Sequence, residues 1–242
     1  MTQTPDDTPV IKELAEIGRR SDTRDVLNHA TKHALNKFAP GLSQQSVGGR
    51  IGHQGRREPV EGTEGHPFVT SARRGMDALG LDYQVVFPSA MLVLGMHPQD
   101  EVEVVLARAF NRWMTEVVLP KDDRLKGLLY LPFNTPEVCE ELVEKYKDDE
   151  NIIGFTVCST RNNPVHSDVY TKLYSMIEET GKPLAFHSGY HWGDPSFAQL
   201  NRILSKHALS FTHYNQIHVT NWIINAMPER FPKIKMLWVQ SG

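Results

Sequence analysis

From residue 79 onward, short apolar runs alternate with amphipathic stretches, the pattern of βα units built around a parallel sheet. Runs at 83–88, 125–131, 152–157, 183–187 and 235–239 predict five strands. Most are apolar without interruption, as a sheet buried on both faces requires. Between the first two runs, Val102, Val105, Leu106, Ala109, Phe110 and Trp113 recur at helical spacing and predict one apolar stripe facing the sheet. The next helix opens at Thr135-Pro136-Glu137, with Thr as cap, Pro in the first turn and Glu on the positive end of the dipole, and buries Val138, Leu142, Val143 and Tyr146. A third covers 168–180, capped by Ser167 or Asp168, with Val169, Leu173 and Ile177 inward and Gly181 just past its end.

The N-terminal part has a different texture. A broadly helical pattern at 10–38 precedes a stretch at 41–67 rich in Gly, Gln, Arg and Glu, read as an irregular surface loop or, alternatively, a lid or subunit contact. His29 and His33 sit four apart but lack the Glu of H-E-x-x-H, so they read as a solvated helix face. One domain over 1–242 is expected, with 1–75 as a helical and loop excursion and 76–242 carrying the βα units. Such an alternation folds as an open doubly wound sheet or as a (β/α)8 barrel. No G-x-G-x-x-G follows the first strand, which favours the barrel.

Composition narrows the function classes. The 242 residues are 40% hydrophobic, enough for one buried core. With 26 basic against 29 acidic residues the net charge is −3, which argues against nucleic-acid binding through bulk charge. Cys139 and Cys158 read as reduced packing residues. The start Met1-Thr2-Gln3-Thr4-Pro5 has no signal-peptide character, and the longest apolar run, at 90–96, is far short of the ~20 residues of a membrane span. A cytoplasmic protein without a membrane partner is expected.

In a parallel barrel the site lies at the carboxyl ends of the strands. There the sequence places Cys158-Ser159-Thr160-Arg161, then His187-Ser188-Gly189-Tyr190-His191-Trp192, then Gln240-Ser241-Gly242. His187 is the candidate metal ligand, because a neutral imidazole at the barrel rim suits Zn²⁺. Arg161 is the candidate clamp for a substrate carboxylate. Of His213 and His218, which lead into a helix carrying Trp222, Ile223 and Met227, His218 near the helix start is preferred. Met91, Met96, Trp113 and Trp222 read as core. Without a G-x-S-x-G elbow or a P-loop, the usual serine hydrolases and NTPases drop out.

The stretch from His218 through Pro228-Glu229-Arg230-Phe231-Pro232-Lys233 to Trp238-Val239-Gln240-Ser241-Gly242 resembles the amidohydrolase-related family that includes aminocarboxymuconate semialdehyde decarboxylase. So do Pro183-Leu184-Ala185-Phe186-His187 and Met76-Asp77-Ala78-Leu79-Gly80-Leu81-Asp82-Tyr83. The resemblance implies a TIM barrel with a divalent metal, commonly zinc. Its ligands would be an H-x-H pair after strand 1, a histidine after strand 5 and an aspartate after strand 8. Only the strand-5 histidine has a counterpart, His187; Gln240 stands where family decarboxylases carry a proton-transfer histidine.

A barrel needs eight strands and five are visible, corresponding to family strands 2 to 6. The expectation is an internal piece of a longer protein, with an H-x-H upstream and an aspartate roughly 50 to 100 residues downstream at ~30 residues per βα unit. The function this implies is metal-dependent hydrolysis or non-oxidative decarboxylation of a small carboxylated compound, aromatic acids included. In it His187 ligates the metal, Gln240 and His218 are catalytic, and Arg161, Tyr190, His191 and Trp192 bind substrate. A homodimer is expected of the full-length protein. The alternative is a catalytically incomplete fragment or binding remnant.

Overall fold

The computed structural model describes residues 66–158, 163–189 and 194–241. The helical pattern at 10–38, the stretch at 41–65, His29 and His33 lie outside them.

Five strands form one parallel sheet: β1 (Gln84–Val86), β2 (Leu125–Tyr130), β3 (Ile152–Val157), β4 (Leu184–Phe186) and β5 (Met236–Trp238). Their order across the sheet is their order along the chain. A doubly wound sheet reverses direction partway; this one does not, and it forms half of a TIM-type barrel. Each predicted run contains its strand, and β3 has the predicted bounds. β2 and β3 are buried at nearly every position because helices cover them, whereas Leu237 in β5 stays 44% exposed at the sheet edge.

Helix α1 (Pro67–Leu79) precedes β1 and ends on Gly80, whose φ of 65° is left-handed. Helix α2 (Asp100–Trp113) joins β1 to β2 and runs on through a π-helical turn, Met114–Val118. The buried face of α2 is not the predicted one. Glu103, Val104, Leu106, Ala107, Phe110, Asn111 and Trp113 are buried, while Val102, Val105 and Ala109 are only partly covered. Two polar residues rotate the face inward. The Asn111 amide bonds both backbone groups of Tyr130, donating to its O at 2.8 Å and accepting from its N at 2.9 Å. The Glu103 carboxylate accepts from the Tyr130 hydroxyl at 2.9 Å and from Asn134 Nδ2 at 2.7 Å. Asn134 Nδ2 also donates to the Gly95 carbonyl, so one buried cluster joins α2, the end of β2 and the segment before α2.

Helix α3 (Pro136–Tyr146) follows β2. Thr135 holds the predicted cap position, but its side chain makes no capping bond, and Cys139 takes the inward place expected of Val138. Helix α4 (Thr171–Thr180) is preceded by a separate 3-10 turn, Asp168–Tyr170. That turn swings Val169 outward, 49% exposed, and puts Tyr170 in the core, stacked on Phe133 at 3.9 Å between ring centroids. Helix α5 (Ile203–Ile224) stops at Ala226, a left-handed residue with φ 53°, before the short α6 (Met227–Arg230). Among the described residues no helix is long and apolar enough to cross a membrane.

Candidate functional site at the carboxyl end of the sheet

β4 ends at Phe186, and the next residue's amide continues the ladder: His187 N donates to Val157 O at 2.9 Å. The imidazole of His187 is therefore fixed to the last rung of the sheet, 6% exposed. Two aromatic rings meet it edge-on, Phe87 from the end of β1 at 6.3 Å and Phe211 from α5 at 5.8 Å. Its Nδ1 lies 3.1 Å from the Ser188 carbonyl.

A buried hydrogen-bonded chain continues from Ser188. Ser188 Oγ donates to Asn215 Oδ1 at 2.6 Å, and Asn215 Nδ2 donates to the Val239 carbonyl at 2.6 Å and to Ser241 Oγ at 3.0 Å. Ser241 Oγ donates back to the Trp238 carbonyl at 2.7 Å. Asn215, on α5, thus bridges the ends of β4 and β5. Gln240 stands on the turn this creates, exposed and left-handed at φ 59°. For a residue with a Cβ that conformation costs about 1–2 kcal/mol.

His218 is placed differently from the sequence expectation. It is not near a helix start; both it and His213 lie inside α5. His218 is buried beside Phe186, with ring centroids 5.5 Å apart, and its Nδ1 has no hydrogen-bond partner. Burial holds the ring neutral by lowering its pKa to about 4. His213 packs edge-on against Phe197. Arg161, Tyr190, His191 and Trp192 lie outside the described residues.

Cys158, at the end of β3, and Cys139 are buried and unbridged, and desolvation pushes both thiols up, which makes them packing groups rather than nucleophiles. Sequence reasoning placed Ser188 among the strand-end residues without giving it a role, and passed over Asn215. The one available signal was the position of Ser188 directly after a strand-end histidine.

Among the described residues no three His, Cys, Asp or Glu side chains gather to hold a metal ion. His187 is a single donor, so these residues alone do not fit the divalent metal that the resemblance implies.

A parallel α/β half-barrel whose strands follow one another in chain order has the architecture of the TIM-type barrels. The chain itself belongs to the amidohydrolase family, which residues 64–238 match. Solved structures agree at the level of fold. A 5-carboxyvanillate decarboxylase from Sphingomonas paucimobilis superposes with a TM-score of 0.60 at 18% identity, over 94% of this chain and 62% of its own. A 2,6-dihydroxybenzoate decarboxylase from Rhizobium gives 0.59 at 18% identity, over 84% and 61%. A 5-carboxyvanillate decarboxylase from Novosphingobium aromaticivorans, holding manganese and 4-hydroxy-3-methoxy-5-nitrobenzoic acid, gives 0.60 at 16% identity, over 88% and 60%. The chain spans about three fifths of the length of each. No protein of curated function matches it.

Proposed function

We propose that this half-barrel is the substrate-holding part of an amidohydrolase-family enzyme that acts on a small aromatic carboxylate, by non-oxidative decarboxylation in preference to hydrolysis. The observation that carries the reading is His187, buried at the last rung of β4 between the edges of Phe87 and Phe211. Aromatic walls around a polar group suit a flat acid, whose ring packs against them while its polar substituents meet the imidazole. The solved decarboxylases act on acids of this kind, which favours decarboxylation.

In this reading Arg161 receives the carboxylate with its guanidinium fork, and Tyr190, His191 and Trp192 enclose the ring. Gln240 faces the substrate from the turn after β5. His218, buried and neutral, contributes packing. The whole protein takes a divalent metal, for which manganese, as held by the Novosphingobium decarboxylase, is a better guide than zinc. With one donor among the described residues, the tasks assigned to this chain are binding and orientation.

A second reading, a module that binds aromatic acids without turnover, rests on the single donor, His187, that the described residues offer. One experiment separates the two: calorimetric titration with 2,6-dihydroxybenzoate, with and without added manganese, alongside a carbon dioxide assay. Binding that His187→Ala weakens about tenfold or more, the scale of losing a buried polar contact, supports the site. Carbon dioxide release then selects the enzyme, and binding alone selects the module. No binding, or equal binding by the variant, overturns the site.

A further inference from the structure

We infer that Asn215 and Ser241 clamp Gln240 in its left-handed conformation, which makes Gln240 a strained residue held for the contact its side chain makes.

Glycine takes left-handed angles freely, as Gly80 and Gly181 do at helix ends. Gln240 takes them, at φ 59°, two residues after β5 has ended, and its side chain is not of the short polar kind that eases them. A conformation of this kind persists only where the surroundings impose it. On the amino side, Val239 N donates to the Phe186 carbonyl at 2.9 Å, and the Val239 carbonyl accepts from Asn215 Nδ2 at 2.6 Å. The peptide that leads into Gln240 is thereby pinned. On the carboxyl side, Ser241 Oγ donates to the Trp238 carbonyl at 2.7 Å and accepts the second amide proton of Asn215 at 3.0 Å. The torsions between the two anchors are φ and ψ of Gln240 and those that aim the Ser241 hydroxyl, whose direction its two bonds already set. One amide nitrogen therefore holds both sides of Gln240.

The clamp is itself fixed. The Val239 carbonyl can only accept, so the Asn215 amide cannot turn over, and its Oδ1 is occupied by the Ser188 hydroxyl at 2.6 Å. Asn215 is 1% exposed, so water does not replace a lost partner, whereas Gln240 stands in the open. A turn needed only to end a strand would carry glycine here without strain. A glutamine held in strain at an exposed position is a residue kept for its side chain. For the aromatic acid of the proposed function, on which this consequence rests, the clamp fixes the Cα–Cβ direction from which the Gln240 amide meets its ligand. The contact is then made without first ordering a free turn.

The experiment is a set of variants of the full chain, followed by urea unfolding and by calorimetric titration with 2,6-dihydroxybenzoate in the presence of manganese. At a relaxed position Gly is less stable than Ala; at a left-handed one the order reverses. The unfolding constant of Gln240→Gly is therefore expected about threefold below that of Gln240→Ala. Adding Ser241→Ala opens the carboxyl-side anchor and leaves the buried Asn215 bond to Ser188 in place; it is expected to cancel that preference or turn it towards Ala. Asn215→Ala, where circular dichroism shows it folded, does the same, and Ser241→Ala decides the matter where it does not fold. In the titrations Ser241→Ala weakens acid binding about threefold in the parent and not at all in Gln240→Ala, because the clamp acts only through that side chain.

A Gln240→Gly variant no more stable than Gln240→Ala, or a preference for Gly that survives Ser241→Ala, overturns the clamp. Acid binding that Ser241→Ala leaves untouched, or weakens equally with and without the Gln240 side chain, overturns its role in binding. The expected stability pattern in a chain that binds no aromatic acid keeps the clamp and removes the proposed function.

Discussion

At the amino end of β2 the polar groups are met by a long charged side chain. Arg124 reaches the Asp77 carboxylate at 2.7 Å, the Leu81 carbonyl at 2.7 Å and the Asp82 carbonyl at 3.2 Å, and all of these stay near water. At the carboxyl ends the same need is met by short side chains sealed in the core: Asn111 on the Tyr130 backbone, Asn134 between Gly95 and the Glu103 carboxylate, Asn215 between Ser188 and Val239. A group near solvent that loses its partner is rehydrated. A buried one is orphaned and costs its full desolvation. The carboxyl end is therefore the costlier of the two to disturb.

The sharpest way to break this comparison is Asn111→Ala. It strands a buried N–H and a buried C=O of β2 at about 1–3 kcal/mol each, so a loss of about 4 kcal/mol of unfolding free energy is expected in urea titrations. A loss no larger than that of an exposed residue would erase the distinction between the two ends.

Next in size is a pH effect from His218, whose ring goes from the ordinary 6.5 to about 4 on burial. Above pH 6.5 the ring is neutral in both states and nothing is lost. As pH falls from 6.5 to about 4, the unfolded chain takes up a proton that the folded chain refuses, so stability drops by about 3 kcal/mol. Paired denaturation curves of the parent and His218→Leu across that window check it; the variant lacks this slope.

Smaller again is Gly154→Ala, which tests the amino end for shape rather than charge. The added Cβ meets Leu128 Cδ2 at 2.8 Å and the Pro183 carbonyl at 2.9 Å, and a backbone oxygen cannot swing aside. About 2 kcal/mol of thermal or urea stability is expected to go, as for other overpacked sites. Last comes Arg124→Ala, with the smallest shift of the four. That shift shrinks further as salt is added, since the Asp77 pairing is screened; a shift matching that of Asn111→Ala would reverse the comparison.

The strands were legible because each is a run of apolar residues bounded by turn-formers, and β3 could be read to its ends. The buried face of α2 was not. Periodicity counts apolar residues, and Asn111 faces inward because it completes the Tyr130 backbone's hydrogen bonds, Glu103 because it accepts from the buried Tyr130 hydroxyl and Asn134 amide, which no hydropathy pattern records. Helix α5 hid its extent for a related reason: it is apolar on several faces and spaced with histidines, and its stop, Ala226, is left-handed without being glycine or asparagine. Of the candidate site, His187 could be placed because it ends the run of β4. The Ser188–Asn215–Val239 chain could not, since its members come from three elements that only the folded sheet brings together.

The order of the sheet also says how it can be built. Because β1 to β5 lie side by side in the sequence in which they are synthesised, every pairing joins consecutive units and none must wait for a distant partner. Each closure spans one helical crossover, and a chain emerging from the ribosome can lay each strand on the edge left by the one before. The described strands are assembled like courses of brick, and the fifth course is the one Asn215 locks to its neighbour.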